Sequence, residues 1–171
     1  SVAALRQMSL VVNEGDFVSL VGPSGCGKST ALRLIAGLMR PTAGRIIWEG
    51  SQKADDLGVV FQEPTLMPWA TVARNVYLPF RLQGKSWGSV RGRIDEVLHL
   101  VGLDRFAGSY PRELSGGMKM RVSIARALVT NPRLILMDEP FAALDEITRQ
   151  KLNNDLLSLK AQTGCTVIFV T

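Results

Sequence analysis

A glycine-rich stretch near the start of the chain, residues 22–30, constrains its fold more than any other feature. It fits the pattern G-x-x-x-x-G-K-[ST], in which glycines let backbone amides turn toward phosphate groups. The stretch consists of Gly22, Pro23, Ser24, Gly25, Cys26, Gly27, Lys28, Ser29 and Thr30. An apolar strand pattern over residues 17–21 precedes it, and a helical pattern follows, with one apolar face formed by Ala31, Leu34, Ile35 and Leu38. Because phosphate binding needs a strand, a loop and a helix N-terminus in this order, a chance match is the weaker interpretation.

Residue types in two segments indicate the chemistry. Lys28 is placed to reach the outer phosphates of a nucleotide, and the hydroxyl of Ser29 is a ligand suited to Mg²⁺. Residues 133–140 form an apolar run that ends in Asp138 and Glu139. A buried strand that ends in carboxylates suits ATP hydrolysis, with Asp138 holding Mg²⁺, usually through water, and Glu139 polarising the attacking water. An ordinary buried strand followed by a solvated acidic turn is the alternative.

A third motif lies between these two and opens a helical pattern. It consists of Leu114, Ser115, Gly116, Gly117 and Met118. In this order, upstream of the acidic strand end, it resembles the signature of the ATP-binding cassette (ABC) ATPases. The resemblance implies that Ser115 and the amides of Gly116 and Gly117 form a second phosphate site, which serves the nucleotide held by the P-loop of a partner subunit. For the Ser-Gly-Gly tripeptide alone, a flexible loop with a helix cap is the alternative. Met118 and Met120 stand where many family members have Gln, and we interpret both as apolar packing residues.

Two further positions match this family. Gln62 follows an apolar segment, residues 57–61. It resembles the Q-loop glutamine, which in the family contacts Mg²⁺ and the attacking water. A polar residue at a strand end is the alternative for Gln62. Residues 142–145 resemble the D-loop, so Asp145 is expected at the nucleotide, and it is also a good N-cap for the following helix. The resemblance extends from Leu5 to Thr171.

Some details are similar to a subgroup of the family. Residues 61–72 and 138–149 resemble the nitrate/sulfonate/taurine branch of bacterial importers. This resemblance implies an enzyme that hydrolyses ATP with Mg²⁺ and couples hydrolysis to solute uptake. It also implies three partners: a second copy of the subunit in a head-to-tail dimer, an integral-membrane permease and, indirectly, a periplasmic or extracellular solute-binding protein. The expected location is peripheral, on the cytoplasmic face of the inner membrane. The transported solute stays open, because no residue of such a subunit contacts it.

The expected fold is α/β: a P-loop NTPase core with a parallel sheet and covering helices, flanking β-strands and an inserted small helical lobe. The strands of the parallel sheet are predicted at residues 17–21, 57–61, 133–137 and 166–170, and the added strands at residues 8–12 and 45–49. We assign residues 1–70 and 111–171 to the nucleotide-binding core lobe and residues 71–110 to the helical lobe. The helical lobe has a break at residues 84–92, followed by an amphipathic stripe of Ile94, Val97, Leu98 and Val101.

The two ends of the chain resemble cuts in a longer ATPase. No aromatic residue precedes Phe17 to stack on adenine, and residues 166–171 resemble the strand that leads to the family's switch histidine, which is absent. We therefore expect a C-terminally truncated domain, whose activity by itself stays open. In the family, the region after the Q-loop receives a helix of the permease. Trp69 is accordingly either an anchor for that helix or a packing residue at the junction of the lobes.

Composition limits the alternatives. The net charge of +5 allows a nucleic-acid partner, but the basic residues are scattered, so none is expected. No apolar run is long enough to span a membrane. Cys26 and Cys165 are predicted to be free thiols, and His99 is predicted to be an ordinary surface or half-buried residue. Three alternatives remain: a soluble ABC ATPase acting on ribosomes or DNA, an exporter cassette fused to its own membrane domain, and a cassette that binds nucleotide without hydrolysing it.

Overall fold

The computed structural model describes residues 4–48, 57–140 and 146–171. Within these ranges the helices are α1 (Lys28–Ile35), α2 (Val72–Leu82), α3 (Trp87–Leu100), α4 (Gly116–Leu128) and α5 (Glu146–Thr163). The strands are β1 (Phe17–Leu20), β2 (Leu57–Val60), β3 (Leu134–Asp138) and β4 (Thr166–Val170). Short 3₁₀ turns at Asp104–Phe106 and Pro111–Glu113 lie between α3 and α4. No helix among the described residues is both long and apolar enough to cross a bilayer.

The four strands form one parallel sheet in the order β1-β4-β3-β2. This confirms the parallel α/β core and all four of its strands to within a residue or two. Strand β4 separates β1 from β3, although the glycine loop follows β1 and the acidic pair lies at the end of β3. Because the strands are parallel, their carboxyl ends lie at one edge, where ligands of such sheets bind. Helix α1 runs from the glycine loop to pack against β3, which brings the two motifs together.

Both faces of the sheet are buried, as the nearly continuous apolar sequence of the strands requires. In β3, Ile135 and Met137 point into one cluster, and Leu134 and Leu136 point into the other. Helix α1 contributes Leu32 to the second cluster. The first cluster is larger and joins the sheet to side chains of helices α2–α5. The sheet is therefore the middle layer of three.

The helical region after β2 packs against α4. Helix α2 contacts both α3 and α4, and the predicted stripe of α3 is buried at Ile94, Val97 and Leu98. The predicted break is shorter than residues 84–92, because α3 already begins at Trp87. Glycine at position 58 allows β2 to approach α4 closely, since a β-carbon there would lie 2.8 Å from the Ala127 carbonyl oxygen.

The predictions of added strands and of the α1 face were wrong in part. Residues 8–12 and 45–48 form no strand, and Glu49 lies outside the described residues. Most of their large side chains are exposed, 81% for Val11 and 71% for Ile47, although Val12 packs against the second cluster. Burial is therefore slight, and no neighbouring described strand stabilises an extended ladder there. Helix α1 ends at Ile35, which leaves Leu38 exposed, and Leu32 is the residue buried in its place.

Candidate functional site

The glycine loop forms a sharp turn that leads directly into α1. Gly25 and Gly27 have φ of 80° and 99°, in the left-handed region that favours glycine. Gly27 occupies the N-cap position of α1, so the helix has no side-chain cap. The ammonium group of Lys28 donates to the carbonyl oxygens of Gly22 at 2.6 Å and Pro23 at 3.1 Å. The helix start therefore presents backbone amides and a cation at the carboxyl edge of the sheet, which is an arrangement that favours an anion.

The loop and the acidic strand end meet through one hydrogen bond. The hydroxyl of Ser29 donates to a carboxylate oxygen of Asp138 at 2.8 Å. Both side chains are half-buried, Ser29 in the first turn of α1 and Asp138 at the last position of β3. A hydroxyl and a carboxylate side by side are oxygen ligands of the kind that Mg²⁺ prefers. The chemistry of these two donors therefore fits a magnesium ion.

A second contact joins Gln62, which follows β2, to Glu139. The Gln62 amide nitrogen donates to the Glu139 carboxylate at 3.2 Å. Glu139 has a φ of +45°, a left-handed conformation that L-residues rarely adopt, and Pro140 follows it. The backbone amide of Glu139 donates to the Val170 carbonyl at 3.2 Å, which fixes the turn against the end of β4. An uncommon backbone conformation at a carboxylate beside the glycine loop is typical of a functional position.

The loop at Ser115 opens a different helix. Ser115 is the N-cap of α4, and its hydroxyl accepts from the Met118 amide at 3.3 Å. Gly116 is exposed and Gly117 is buried. In the part of the chain that the structure describes, no hydrogen bond joins this loop to residues 22–30. Met118 and Met120 pack in the larger apolar cluster, as predicted.

The remaining predicted positions have simple surroundings. Asp145 and the rest of the 142–145 motif lie outside the described residues. Cys26 is an exposed free thiol and Cys165 a buried one, which confirms both predictions. The exposed ring of His99 lies 2.7 Å from a carboxylate oxygen of Asp104, and this hydrogen bond lowers the pKa of Asp104. His99 is thus a surface residue, as expected.

Comparison with known proteins identifies the family. The family model for the ABC transporter matches residues 5–142, which is most of the chain. The chain belongs to the ABC transporter ATPase family. The matched range contains residues 22–30, 114–118 and 138–139, and membership of the family excludes the chance interpretation of the first of these motifs.

Relatives of this ABC ATPase at 44–48% identity are named as taurine, nitrate and aliphatic sulfonates import ATP-binding proteins. The taurine import ATP-binding protein of Rhizobium johnstonii is 48% identical over 100% of this chain and 66% of its own length. The nitrate import ATP-binding protein of Synechocystis is 45% identical over 100% of this chain and 65% of its own. The chain therefore spans about two thirds of the length of these relatives. The resemblance to the nitrate/sulfonate/taurine branch is confirmed.

A solved structure supports the same assignment. A dimeric ATP-binding cassette in a post-hydrolysis state, bound to ADP and Pi, superimposes with a TM-score of 0.84 at 40% identity. The match covers 98% of this chain and 79% of that one. The parallel sheet and its covering helices are therefore the fold of an ABC ATPase.

Proposed function

We propose that this chain is the nucleotide-hydrolysing part of an ABC importer subunit, which uses ATP and Mg²⁺ to drive uptake of a small solute. The observation that carries the proposal is the pairing of four motif residues at one edge of the sheet: Ser29 with Asp138, and Gln62 with Glu139. Bound Mg²⁺ supplies charge neutralisation at the phosphates. Ser29 and Asp138 would hold it, and Gln62, which donates to the neighbouring Glu139, is the third candidate ligand.

The chemistry follows from what the side chains can do. Lys28 and the backbone amides at the start of α1, residues 27–30, bind and orient the phosphates, because this helix start has no side-chain cap to accept from its amides. Glu139 is the general base, and it orients the attacking water toward the γ-phosphate. Gln62 donates to that carboxylate and holds it in place. Ser115, Gly116, Gly117 and Asp145 are assigned to the nucleotide of a second, head-to-tail copy.

Glu139→Gln in the full-length protein tests the catalytic assignment. A general base contributes about 100- to 10,000-fold to a rate, so ATP turnover should fall by that range while ATP binding persists. Size-exclusion chromatography with Mg-ATP should show a stable dimer, because the bound nucleotide is no longer cleaved. Glu63→Gln, an exposed carboxylate next to Gln62, is the matched control. Parent-like turnover by Glu139→Gln would remove the proposed base.

The partner proposal rests on a groove beside α2. The groove has a volume of about 580 Å³, and its lining includes Met67, Trp69, Arg74, Tyr77, Arg81 and Tyr110. Trp69 is 77% exposed, which contradicts a role in packing the junction of the lobes. An apolar groove with an exposed tryptophan and two arginines suits an amphipathic helix that carries a carboxylate. We assign this helix to the permease and thereby place the subunit at the cytoplasmic face of the inner membrane.

Trp69→Ala tests the groove. The exposed side chain contributes little to the fold, so the melting temperature should stay within about a degree of the parent value. Recovery of the permease in a detergent pull-down should fall about tenfold or more, because an anchor residue of an interface is lost. Leu82→Ala is the control, since Leu82 is 80% exposed at the end of the neighbouring helix α2 but does not line the groove. Equal permease recovery by both variants would contradict the docking assignment.

The division into lobes and the class of solute complete the proposal. We assign residues 71–110 to the helical lobe and residues 1–70 and 111–171 to the core lobe, so that the groove, lined from Met67 to Tyr110, lies where the two lobes meet. Because relatives are named for import of nitrate, taurine and aliphatic sulfonates, we propose a small solute with an anionic nitrate or sulfonate group. The solute-binding protein and the permease select it, so a ligand screen on the co-purified binding protein is the measurement that identifies it.

A further inference from the structure

A short irregular segment, residues 64–71, connects the two regions to which function is assigned. It begins two residues after Gln62, and it contains Trp69 of the groove. Helix α2 begins directly after it, at Val72. Loops of this kind are held mainly by their own turns, but this one is held by side chains from two different helices.

Helix α4 holds the first part of the segment through Arg126. The guanidinium donates to the carbonyl oxygens of Thr65 at 2.9 Å and Pro64 at 3.1 Å, and to the Thr65 hydroxyl at 3.1 Å. It also lies 3.5 Å from the Ser123 hydroxyl on its own helix. Arg126 is half-buried, and this burial lowers the pKa of its guanidinium. Among the described residues, all the hydrogen bonds of this guanidinium go to neutral oxygens. Partial burial of a cation without a carboxylate partner costs free energy, and the hydrogen bonds that fix the segment offset this cost.

Helix α2 holds the second part through Asn75. The side chain of Asn75 is fully buried. Its oxygen accepts from the Met67 amide at 2.7 Å. Its nitrogen donates to the carbonyl oxygens of Met67 at 3.2 Å, Ala70 at 3.1 Å and Thr71 at 3.0 Å. All hydrogen-bonding groups of one buried amide are thus used to fix a single turn of chain around Trp69.

The backbone at the first contact is strained. Thr65 has a φ of +45°, which is unfavourable for a β-branched residue. Strained conformations persist only where the surroundings fix them, and two of the Arg126 hydrogen bonds end on Thr65 itself. The segment therefore holds a conformation that its own sequence does not favour, and Arg126 is the side chain that stabilises it.

We propose that Arg126 and Asn75 are positioning residues that join the Trp69 segment to α4 and α2, so that displacement of the groove is passed to α4 at its C-terminal turn. The proposal rests on the proposed function, because it takes the groove as the point where a partner acts. It adds a mechanical link from that partner to the last turn of α4, through hydrogen bonds that neither Gln62 nor the glycine loop makes.

Hydrogen exchange in the full-length protein tests the link without any partner. Arg126→Gln should raise the exchange rates of amides in residues 65–72 by about tenfold or more, because several charge-assisted hydrogen bonds to that segment are lost. Arg93→Gln is the matched control, since the Arg93 guanidinium also donates to two backbone carbonyls, those of Leu128 and Val129, but not to this segment. Arg126→Lys keeps the charge without the planar fork and should give an intermediate rate.

Two results would overturn the link. One is an equal rise in residues 65–72 for Arg126→Gln and Arg93→Gln, which would mean general destabilisation. The other is parent-like exchange in every Arg126 variant. If Arg126→Gln does not fold, Arg126→Lys decides between the same outcomes, because it removes the two-carbonyl contact and retains the buried charge.

A double-mutant cycle in the assembled transporter tests transmission. Permease-stimulated ATP turnover is measured for Trp69→Ala, Arg126→Lys and the double variant. If the signal passes through Arg126, each single change lowers stimulation and the double variant is no worse than the stronger single one. If the fractional losses of stimulation in the two single variants multiply in the double variant, the claim that the signal passes through Arg126 is overturned. If Trp69→Ala leaves stimulation intact, the groove assignment fails instead, and the exchange experiment still decides whether Arg126 fixes the segment.

Discussion

Two helices of this chain begin at glycine-containing motifs, and they begin differently. Helix α1 starts after Gly27, which has a φ of 99° and provides no side-chain cap. Helix α4 starts after Ser115, whose hydroxyl accepts from the Met118 amide. One helix start thus leaves its amides to an external acceptor, and the other supplies an acceptor of its own.

The two helices also differ in packing, and α4 is again the one better satisfied by the rest of the chain. Only Ala31 and Leu32 are buried in α1, whereas α4 is buried along most of its length and contacts α2, α3 and β2. Hydrogen bonds add to this packing: Arg93 donates to the Val129 carbonyl at the end of α4, and Arg126 of α4 donates to the Thr65 carbonyl. Burial of an apolar face is the main source of helix stability in a folded protein. We infer that α4 is ordered by packing, while α1 depends on its ligand for part of its order.

The largest effect should come from Lys28→Ala. Removing a group that stabilises developing charge on phosphate should lower ATP turnover of the full-length protein by about 100- to 1,000-fold. Lys119→Ala, a lysine in the first turns of α4, is the control and should leave turnover unchanged. An equal loss of ATP turnover in Lys28→Ala and Lys119→Ala would contradict the comparison, because it would mean that the start of α1 has no special role at the phosphates.

A smaller effect is expected on stability from Gly27→Ala. The residue has a left-handed φ, and an added methyl group would meet the Ala4 carbonyl and the Leu5 side chain. Without nucleotide, the free energy of unfolding should fall by about 1–3 kcal/mol. Gly25→Ala is the control: φ is 80°, but no atom lies within 4 Å of the added carbon, so a smaller loss is expected. Urea denaturation of both variants measures the difference, and equal losses would contradict the steric part of the account.

The smallest effect is expected from the cap of α4. Ser115→Ala removes the acceptor for the Met118 amide and should lower the free energy of unfolding by about 1 kcal/mol. Ser115→Asp keeps a cap and should recover that stability, yet its carboxylate should repel phosphate and prevent ATP-dependent dimerisation of Glu139→Gln. If the variant that carries both Ser115→Asp and Glu139→Gln dimerises with ATP as Glu139→Gln alone does, Ser115 caps α4 and does not bind phosphate.

Sequence reasoning succeeded where the decisive information was local. The glycine loop, the acidic end of β3 and the apolar strands are contiguous patterns, and the structure places Ser29 beside Asp138 because parallel strands bring their ends to one edge. The prediction of added strands was wrong for residues 8–12 and 45–48, because strand formation depends on a partner, which an apolar pattern does not specify.

The residues that sequence reasoning missed are Asn75 and Arg126. Their partners are backbone groups of a distant or irregular segment, and no spacing rule predicts such contacts. One signal was present: Asn75 stands beside the buried Val72 and Val76 on the apolar face of α2, where a polar residue needs an explanation. Arg126 had no comparable signal, because arginine is common in the last turn of a helix.

Hydrogen exchange of the full-length protein with and without Mg-ATP is the most direct test of the account. At a protein concentration too low for dimers, amides of residues 25–35 should slow by about tenfold or more, because phosphate completes the uncapped start of α1. Amides of residues 115–120 should slow only at concentrations that allow dimerisation. Unchanged exchange in residues 25–35 at saturating nucleotide would contradict the assignment of the glycine loop as the nucleotide site.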